Sequence, residues 1–285
     1  MEEAVSRLID AALEEDIGPG DLTSEYFVPV DRQVRGFIVA REEGCLSGVE
    51  VAKEVFLRVD PEVEVQLLVK DGSMVAKGAH VISVEGAARS VLTAERTALN
   101  FLQRLSGVAT ATKQYVNEVQ GYPTRILDTR KTTPGWRKLQ KQAVLHGGGT
   151  NHRMGLYDRV MVKDNHLVAE HDPVELQAAI RRLKTEHPGV EVELEADRLD
   201  QVKIYLGLVG VDHILLDNMT LDDLREAVAM RGDRLTPQLE ASGGVNISTV
   251  KGIATTGVDF ISVGAITHSA VALDLALDFV PLDHE

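Results

Sequence analysis

Beyond Gly121 the chain alternates between short apolar runs and amphipathic segments, and this alternation constrains the fold more than any other feature of the sequence. The apolar runs are typical of buried strands and lie at 125–127, 160–162, 190–194, 213–216, 238–241 and 260–263. Helical patterns separate most of them, at 136–145, 173–187, 199–208, 221–230 and 247–255. The alternation predicts a parallel sheet with crossover helices. Because no dinucleotide-type glycine fingerprint follows the first strand, a TIM-like α/β barrel is favoured over a doubly wound sheet.

The N-terminal part of the chain has a different pattern. Apolar residues at helical spacing over 5–13 predict a first helix, which ends at a Gly-Pro-Gly breaker. Residues 36–40 and 63–69 have the composition and alternation of strands, and turn signals follow them. The sequence therefore predicts a small strand-rich domain before the barrel.

A long helix is predicted to join the two parts. Ser90 is its expected N-cap, and Gly107 is expected to interrupt it. We therefore place the N-terminal domain at 1–107 and the catalytic domain at 108–267, and we expect 268–285 to pack on the N-terminal domain.

The charge of the chain is unevenly distributed. The net charge is −14, which argues against nucleic acid as a partner because phosphates would be repelled. Residues 124–166 nevertheless contain nine Lys and Arg against three acids, a local net charge of +6. A cationic segment in an acidic protein indicates a small, highly charged anion as ligand, although a solvated basic face would give the same composition.

Cysteine usage and hydropathy indicate the compartment. Cys45 is the only cysteine, so the chain forms no intramolecular disulfide and suits a reducing environment. The sequence shows neither a secretory signal nor an apolar segment long enough to span a membrane. We expect a cytoplasmic protein without a membrane partner.

The residues at the ends of the predicted strands are polar or glycine in six successive cases: 128–131, 163–165, Glu195, 217–218, 242–244 and 264–265. In α/β barrels such positions face the active site. Each position taken alone is more often a solvated loop, but six together favour a functional rim.

This rim contains charges of both signs. Its cations, Arg130, Lys131, Arg153 and Lys163, could clamp phosphate or carboxylate. Its carboxylates, Glu195 and Asp217, could hold Mg²⁺, usually through water, or accept hydrogen bonds from sugar hydroxyls. Two turns could bind a monophosphate through backbone N–H groups: Ser242, Gly243 and Gly244, and Val263, Gly264 and Ala265. The rim therefore suits a phosphorylated sugar.

Three motifs in the cationic segment resemble the core signature of the quinolinate phosphoribosyltransferase family. They are Asp-Thr-Arg-Lys-Thr-Thr-Pro-Gly at 128–135, Gly-Gly-Gly-Thr-Asn-His-Arg at 147–153 and Lys-Asp-Asn-His at 163–166. Further segments similar to the family follow in order along nearly the whole chain, at 14–18, 20–23, 95–100, 215–219, 240–244 and 262–265.

The resemblance implies a fold and an assembly. The fold would be an N-terminal α/β sandwich domain followed by an incomplete, seven-stranded TIM-like α/β barrel. The chain would form a homodimer in which the N-terminal domain of one subunit covers the barrel mouth of the other. Arg96 matches the family arginine that crosses that interface.

The resemblance also implies an activity: phosphoribosyl transfer from phosphoribosyl pyrophosphate to quinolinate, which gives nicotinate mononucleotide, pyrophosphate and CO₂ in NAD biosynthesis. Substrate contacts would come from Arg96, Thr129, Arg130, Lys131, His152, Arg153, Lys163, Glu195, Asp217 and the turns at 242–244 and 263–265. Lys131, Glu195 and Asp217 would be catalytic, and Glu195 and Asp217 would hold Mg²⁺. Glu193 is the alternative to Glu195 if the strand register differs.

Three other interpretations remain open on the sequence. A barrel lyase could form a Schiff base on Lys131 or Lys163. An enzyme on the same scaffold could use another base, and a non-catalytic nucleotide sensor could keep only the anion site. Zinc bound by His146, His152 and His166 is disfavoured, because their spacing lies outside the usual zinc patterns.

Overall fold

The computed structural model describes residues 2–163 and 172–280. In chain order its elements are α1 (Glu3–Ile17), α2 (Leu22–Phe27), β1 (Gln33–Ala40), β2 (Gly44–Cys45), α3 (Val49–Val59), β3 (Glu64–Leu67), β4 (Met74–Val75), β5 (His80–Ala87), α4 (Ala88–Glu118), β6 (Arg125–Leu127), α5 (Arg137–His146), β7 (Arg159–Val162), α6 (Pro173–Glu186), β8 (Glu191–Ala196), α7 (Leu199–Tyr205), β9 (His213–Asp217), α8 (Leu221–Arg231), β10 (Gln238–Ser242), α9 (Val250–Ala254), β11 (Phe260–Ser262), α10 (Ala265–His268) and β12 (Leu275–Val280). None of the helices in these two ranges is long and apolar enough to cross a membrane.

The chain forms two compact units. The first contains residues 1–113, 133–148 and 269–285, and the second contains 114–132 and 149–268. Helix α5, which the sequence places between two barrel strands, thus belongs to the first unit.

The first unit is built on a four-stranded antiparallel sheet in the order β12-β1-β5-β3. Its edge strand β12 comes from residues 275–280, so the end of the described chain pairs with β1 of the N-terminal sheet. Ile38 and Ile82 from the sheet and Phe56 from α3 are almost fully buried, and each such side chain contributes roughly 1.5–3 kcal/mol of burial free energy. Cys45 is also buried, and burial raises the pKa of its thiol.

Helix α4 corrects two predictions about the long helix. It runs without interruption through Gly107, because this glycine serves packing rather than a helix break: a Cβ there would lie 2.1 Å from the carbonyl oxygen of Val271. The helix also begins at Ala88, so Ser90 is not its N-cap. The Ser90 hydroxyl instead donates a hydrogen bond to Asp60 at 2.6 Å.

The second unit is a parallel sheet of six strands in the order β6-β11-β10-β9-β8-β7, with crossover helices. A single parallel bridge between Leu127 and Thr150 adds a further segment beside β6. The predicted α/β class, an antiparallel N-terminal layer followed by an incomplete parallel α/β barrel, is confirmed. In the two described ranges, only the single bridge at Thr150 corresponds to the predicted seventh strand.

Alternate residues of each strand point to the same side of the sheet. One set is apolar and almost fully buried, for example Leu194, Ile214 and Leu239, as expected where a parallel sheet packs against its helices. The other set includes polar residues of increasing exposure toward the carboxyl ends of the strands, such as the fully buried Glu193 and the partly exposed Glu195. This second set forms the floor and rim of a cavity.

Candidate active site

A cavity of about 770 Å³ lies in the second unit where the parallel strands end. It is lined by Thr129, Arg130, Lys131, His152, Arg153, Met161, Lys163, Glu195, Leu215, Asp217, Asn218, Glu240, Ser242, Gly243, Gly244, Val245, Ser262, Gly264, Ala265 and His268. Several of the lining residues are two positions apart on the same strand, such as Glu240 and Ser242, because alternate side chains of a strand face the cavity. The polar positions predicted from successive strand ends therefore meet in one cavity.

The segment after β6 holds Lys131 through its backbone. The Lys131 N–H donates to Thr129 Oγ1 at 3.1 Å, and its carbonyl oxygen accepts from Thr267 Oγ1 at 2.8 Å. A Cβ on Gly264 would lie 3.1 Å from Lys131 Cδ, so the lysine side chain runs past the turn that follows β11. The loop thus places the Lys131 side chain beside a glycine turn.

Arg153 is held more rigidly than Lys131. Its Nη1 donates to the carbonyl oxygen of Arg159 at 3.2 Å. Burial, together with the positive charge of Arg130, lowers the pKa of Arg153. Two guanidinium groups close enough to influence each other favour an anion between or beside them.

The two predicted carboxylates line the same cavity as these cations. Glu195 lies within β8, one residue before its end, and its Oε2 is 3.1 Å from Lys163 Nζ. Asp217 ends β9 and accepts a hydrogen bond from Asn218 Nδ2 at 2.7 Å. Both are partly exposed, so oxygen ligands are available to a hard cation from the cavity side.

The turn after β10 requires glycine at its first position. Gly243 has φ +98°, and a Cβ there would lie 2.1 Å from the side-chain oxygen of Asn218. Gly244 also has a positive φ, but a Cβ there would meet nothing within 4 Å. Backbone can therefore approach a ligand closely at this turn.

The turn after β11 matches its prediction only in part. Gly264 and Ala265 line the cavity, but Val263 is fully buried and its N–H donates to the carbonyl oxygen of Leu127 at 2.9 Å. That N–H is not available to a phosphate, so the prediction for Val263 is wrong. The cause is the parallel pairing of β11 with β6: its last pair is Ser262 with Leu127, and the next N–H, that of Val263, still donates to Leu127.

Sequence reasoning missed a buried charged cluster beneath the cavity. His152 Nε2 lies 3.1 Å from Glu193 Oε2 and 3.4 Å from Glu240 Oε2. Burial lowers the pKa of His152, but the two carboxylates outweigh it and raise the pKa to about 9. Burial and the Glu240 carboxylate raise the pKa of Glu193. These three are the described side chains close enough together to share a metal ion.

The remaining predicted site residues are Arg96 and the end of the third motif. Arg96 lies in the first unit, exposed, in a groove of about 370 Å³ that also contains Asp16 and Asp21. Residues 164–166 of the third motif lie outside the described residues.

The histidines predicted as an unlikely zinc set are engaged differently. His146 belongs to the first unit, where its Nδ1 is 2.9 Å from Ser47 Oγ, whereas the His152 ring faces Glu193 and Glu240 in the second unit. His166 lies outside the described residues.

The fold and the cavity define an α/β-barrel enzyme with a site of mixed charge at the carboxyl ends of its strands. Two family models cover almost the whole chain: "Quinolinate phosphoribosyl transferase, N-terminal domain" matches residues 21–106, and "Quinolinate phosphoribosyl transferase, C-terminal domain" matches residues 108–278. The chain belongs to the quinolinate phosphoribosyltransferase family.

Named relatives and a solved structure agree with the family models. The chain is 41% identical to a chloroplastic nicotinate-nucleotide pyrophosphorylase (carboxylating) of Arabidopsis thaliana, over 95% of this chain and 81% of that protein. It is 39% identical to a probable nicotinate-nucleotide pyrophosphorylase (carboxylating) of Bacillus subtilis, over 99% and 95%. The structure of the nicotinate-nucleotide pyrophosphorylase from Francisella tularensis superposes with a TM-score of 0.90 at 39% identity, covering 98% of this chain and 96% of that one.

Proposed function

We propose that this chain transfers the phosphoribosyl group of phosphoribosyl pyrophosphate to quinolinate with loss of CO₂, which gives nicotinate mononucleotide and pyrophosphate. The observation that carries the proposal is the cavity, which gathers the predicted cations and carboxylates at one end of the barrel, in a chain that matches this family along its length. A dicarboxylate and a pyrophosphate ester are both polyanions, and the cavity provides cations from several strands for them.

The arginines are suited to the dicarboxylate. Arg130 and Arg153 present planar forks that can bind a carboxylate through two parallel hydrogen bonds. Lys131 and Lys163 are point charges on flexible stems, which suit the phosphates and the developing charge of the leaving pyrophosphate. In this assignment the guanidinium groups orient the pyridine ring and the ammonium groups stabilise the leaving group.

Glu195 and Asp217 fit a role at the ribose and at Mg²⁺. Mg²⁺ is usually held by one or two carboxylates together with substrate phosphates and water, and these two partly exposed carboxylates line the cavity. Bound there, Mg²⁺ would neutralise pyrophosphate charge. Attack of the pyridine nitrogen on ribose C1 gives the ring oxocarbenium character, so a carboxylate beside it stabilises the transition state more than the ground state.

Decarboxylation makes smaller demands on the protein. Once the ring nitrogen is bonded to ribose it carries a positive charge. That charge stabilises the electron pair that CO₂ leaves at the neighbouring carbon, until this carbon takes up a proton from water. The protein therefore mainly needs to hold the diacid in place, which is the role proposed for Arg130 and Arg153.

The glycine turn after β10 is proposed to bind the 5′-phosphate of the ribose through backbone N–H groups. Gly243→Ala tests this, because the added Cβ collides with Asn218 and the residue has φ +98°. We expect KM for phosphoribosyl pyrophosphate to rise about tenfold or more, with a smaller change in KM for quinolinate.

Gly232 provides a matched control for this variant. It also has a positive φ (+63°), but a Cβ there meets nothing within 4 Å, and it does not line the cavity. Gly232→Ala should therefore affect stability by roughly 1 kcal/mol and leave both KM values unchanged. Equal KM values in the Gly243→Ala variant and the unmodified protein would remove this turn from the phosphate site.

The homodimer is also a proposal. Leu22, Tyr26 and Phe27 lie in α2 and are 68%, 78% and 84% exposed, an apolar surface that a monomer would leave in water. Arg96 lines a groove formed partly by the same region of the chain. Burial of this surface by a second copy would place Arg96 at a shared site.

The cytoplasmic location stays a prediction, based on the single buried Cys45. The Arabidopsis relative is named as chloroplastic, and a relative from Nicotiana tabacum is named as mitochondrial.

The decisive assay supplies quinolinate, phosphoribosyl pyrophosphate and Mg²⁺ and measures nicotinate mononucleotide and released CO₂. We expect both products in equal amounts, and neither when Mg²⁺ is chelated. A parallel reaction with nicotinate, which lacks the carboxylate that becomes CO₂, distinguishes an enzyme for another base. Turnover of nicotinate but not quinolinate would overturn the proposal, and absence of turnover with either would favour a nucleotide sensor.

A further inference from the structure

Glu193 and Glu240 are costly residues for the interior of a parallel barrel. Both are fully buried, on β8 and β10, and within 2–163 and 172–280 none of their four carboxylate oxygens has a well-aligned hydrogen-bond donor. Two carboxylates in such a place repel each other, and apolar residues of similar volume would serve the core as well or better. Their presence therefore points to a task beyond packing.

His152 is the side chain on which both carboxylates converge, and it is held at three points. Its backbone N–H donates to Asp128 Oδ1 at 2.7 Å, and its Nδ1 accepts the backbone N–H of Arg153 at 2.7 Å. Its Nε2 faces Glu193 and Glu240, so a proton on Nε2 can be shared between two acceptors. The ring is thus fixed in one orientation and joined directly to Arg153.

A nearby arginine compensates part of the charge of the carboxylate pair. Arg159 Nη1 lies 3.7 Å from Glu193 Oε2, and the same guanidinium pairs with Glu191 at 2.5 Å. Glu240 Oε2 lies 3.4 Å from His152 Nε2. A proton on His152 Nε2 therefore stabilises the carboxylate pair, and the carboxylate pair in turn keeps the proton on Nε2.

We propose that Glu193 and Glu240 are positioning residues: they fix the His152 ring with its proton on Nε2, and through the His152 Nδ1 contact they set the place of Arg153 for a carboxylate of the substrate. This inference rests on the proposed function, because it assigns the arginine to the dicarboxylate. It predicts an effect on binding of the pyridine substrate and not on binding of the phosphorylated sugar.

The first test replaces each buried carboxylate by the amide of the same shape, Glu240→Gln and Glu193→Gln. The amide can donate to His152 Nε2 and so removes the preference for a proton there. We expect KM for quinolinate to rise about tenfold in each variant, with KM for phosphoribosyl pyrophosphate and kcat changed less than about threefold. Equal rises of both KM values, or a fall in kcat alone, would overturn the proposal.

Glu191→Gln is the matched control. Glu191 lies on the same strand as Glu193 and also contacts a histidine, His213, at 3.2 Å, but its side chain is 49% exposed and it does not reach His152. The proposal expects KM for quinolinate to stay within about twofold of the unmodified protein in this variant. A loss as large as that in Glu193→Gln would show a general effect of charge on this strand and contradict the proposal.

The second test does not depend on catalysis. Nitrogen NMR of the ¹⁵N-histidine-labelled protein reports which ring nitrogen carries a proton, and the His152 signals are identified by their loss in His152→Asn. We expect His152 Nε2 to be protonated between about pH 6 and pH 8. A neutral ring with its proton on Nδ1 would overturn the proposal, even if the protein turns quinolinate over. Conversely, a protonated Nε2 in a protein without that turnover would refute only the proposed function.

Discussion

Lys131→Ala is expected to lower kcat/KM by about 100-fold or more, through loss of an ammonium group that stabilises the leaving pyrophosphate. The backbone at this position is held independently of the side chain, by Thr129 on one side and Thr267 on the other. Truncation to alanine should therefore remove the charge without moving the loop. Steady-state kinetics with each substrate varied in turn measures the loss.

Lys251 on α9 provides a control for the charge change. It is an exposed lysine of the same unit and does not line the cavity, so Lys251→Ala should keep kcat/KM within about twofold. A loss of less than about threefold in Lys131→Ala would remove Lys131 from the site.

Borohydride trapping tests the alternative that the protein is a Schiff-base lyase. A lyase would trap substrate covalently on Lys131 or Lys163 when borohydride is added. In this structure Lys163 Nζ is 3.1 Å from Glu195 Oε2, so the amine is engaged in an ion pair with a carboxylate of the same cavity. We expect no covalent adduct on either lysine.

The rim of the site could be predicted from the sequence because one local rule governs it. A parallel strand that ends in a polar residue brings that residue to the common edge, and the apolar runs located the strands within a few residues. Asp217 and Ser242 were found in this way without knowledge of any contact. Glu195 was predicted to follow its strand, but it lies within β8. The prediction ended the strand too early because a charged residue near a strand end looks like the start of a loop.

Other features depend on tertiary contacts that no local pattern reports. Gly107 has the composition signal of a helix break, yet it lies in a continuous helix because the backbone at Val271 packs against it. Val263 adjoins the glycine turn in the sequence, but its N–H donates to the neighbouring strand. Glu240 could have been suspected, because a glutamate two residues before Ser242 in an apolar run must face the same side as the rim.

Arg96→Ala should abolish activity almost completely in a pure preparation, with a loss of about 100-fold or more, if the partner subunit supplies this guanidinium to the barrel site. Arg96 is exposed in the first unit, in a groove that it shares with Asp16 and Asp21, and is available to a second copy of the chain. The same kinetic assay measures the loss. Lys113→Ala, on the same helix, is the control, and we expect it to keep activity within about twofold.

Mixed dimers separate a contribution across the interface from one within a subunit. Arg96→Ala and Lys131→Ala subunits are combined with two different affinity tags, and the doubly tagged species is isolated and its composition verified. In that heterodimer, the barrel of the Arg96→Ala subunit keeps Lys131 and receives Arg96 from its partner, so one of the two sites should work. Such heterodimers should regain about half of the activity of the unmodified dimer, although both parents are inactive. If Arg96 acted within its own subunit, neither site of the heterodimer would be complete, and the mixture would stay as inactive as its parents.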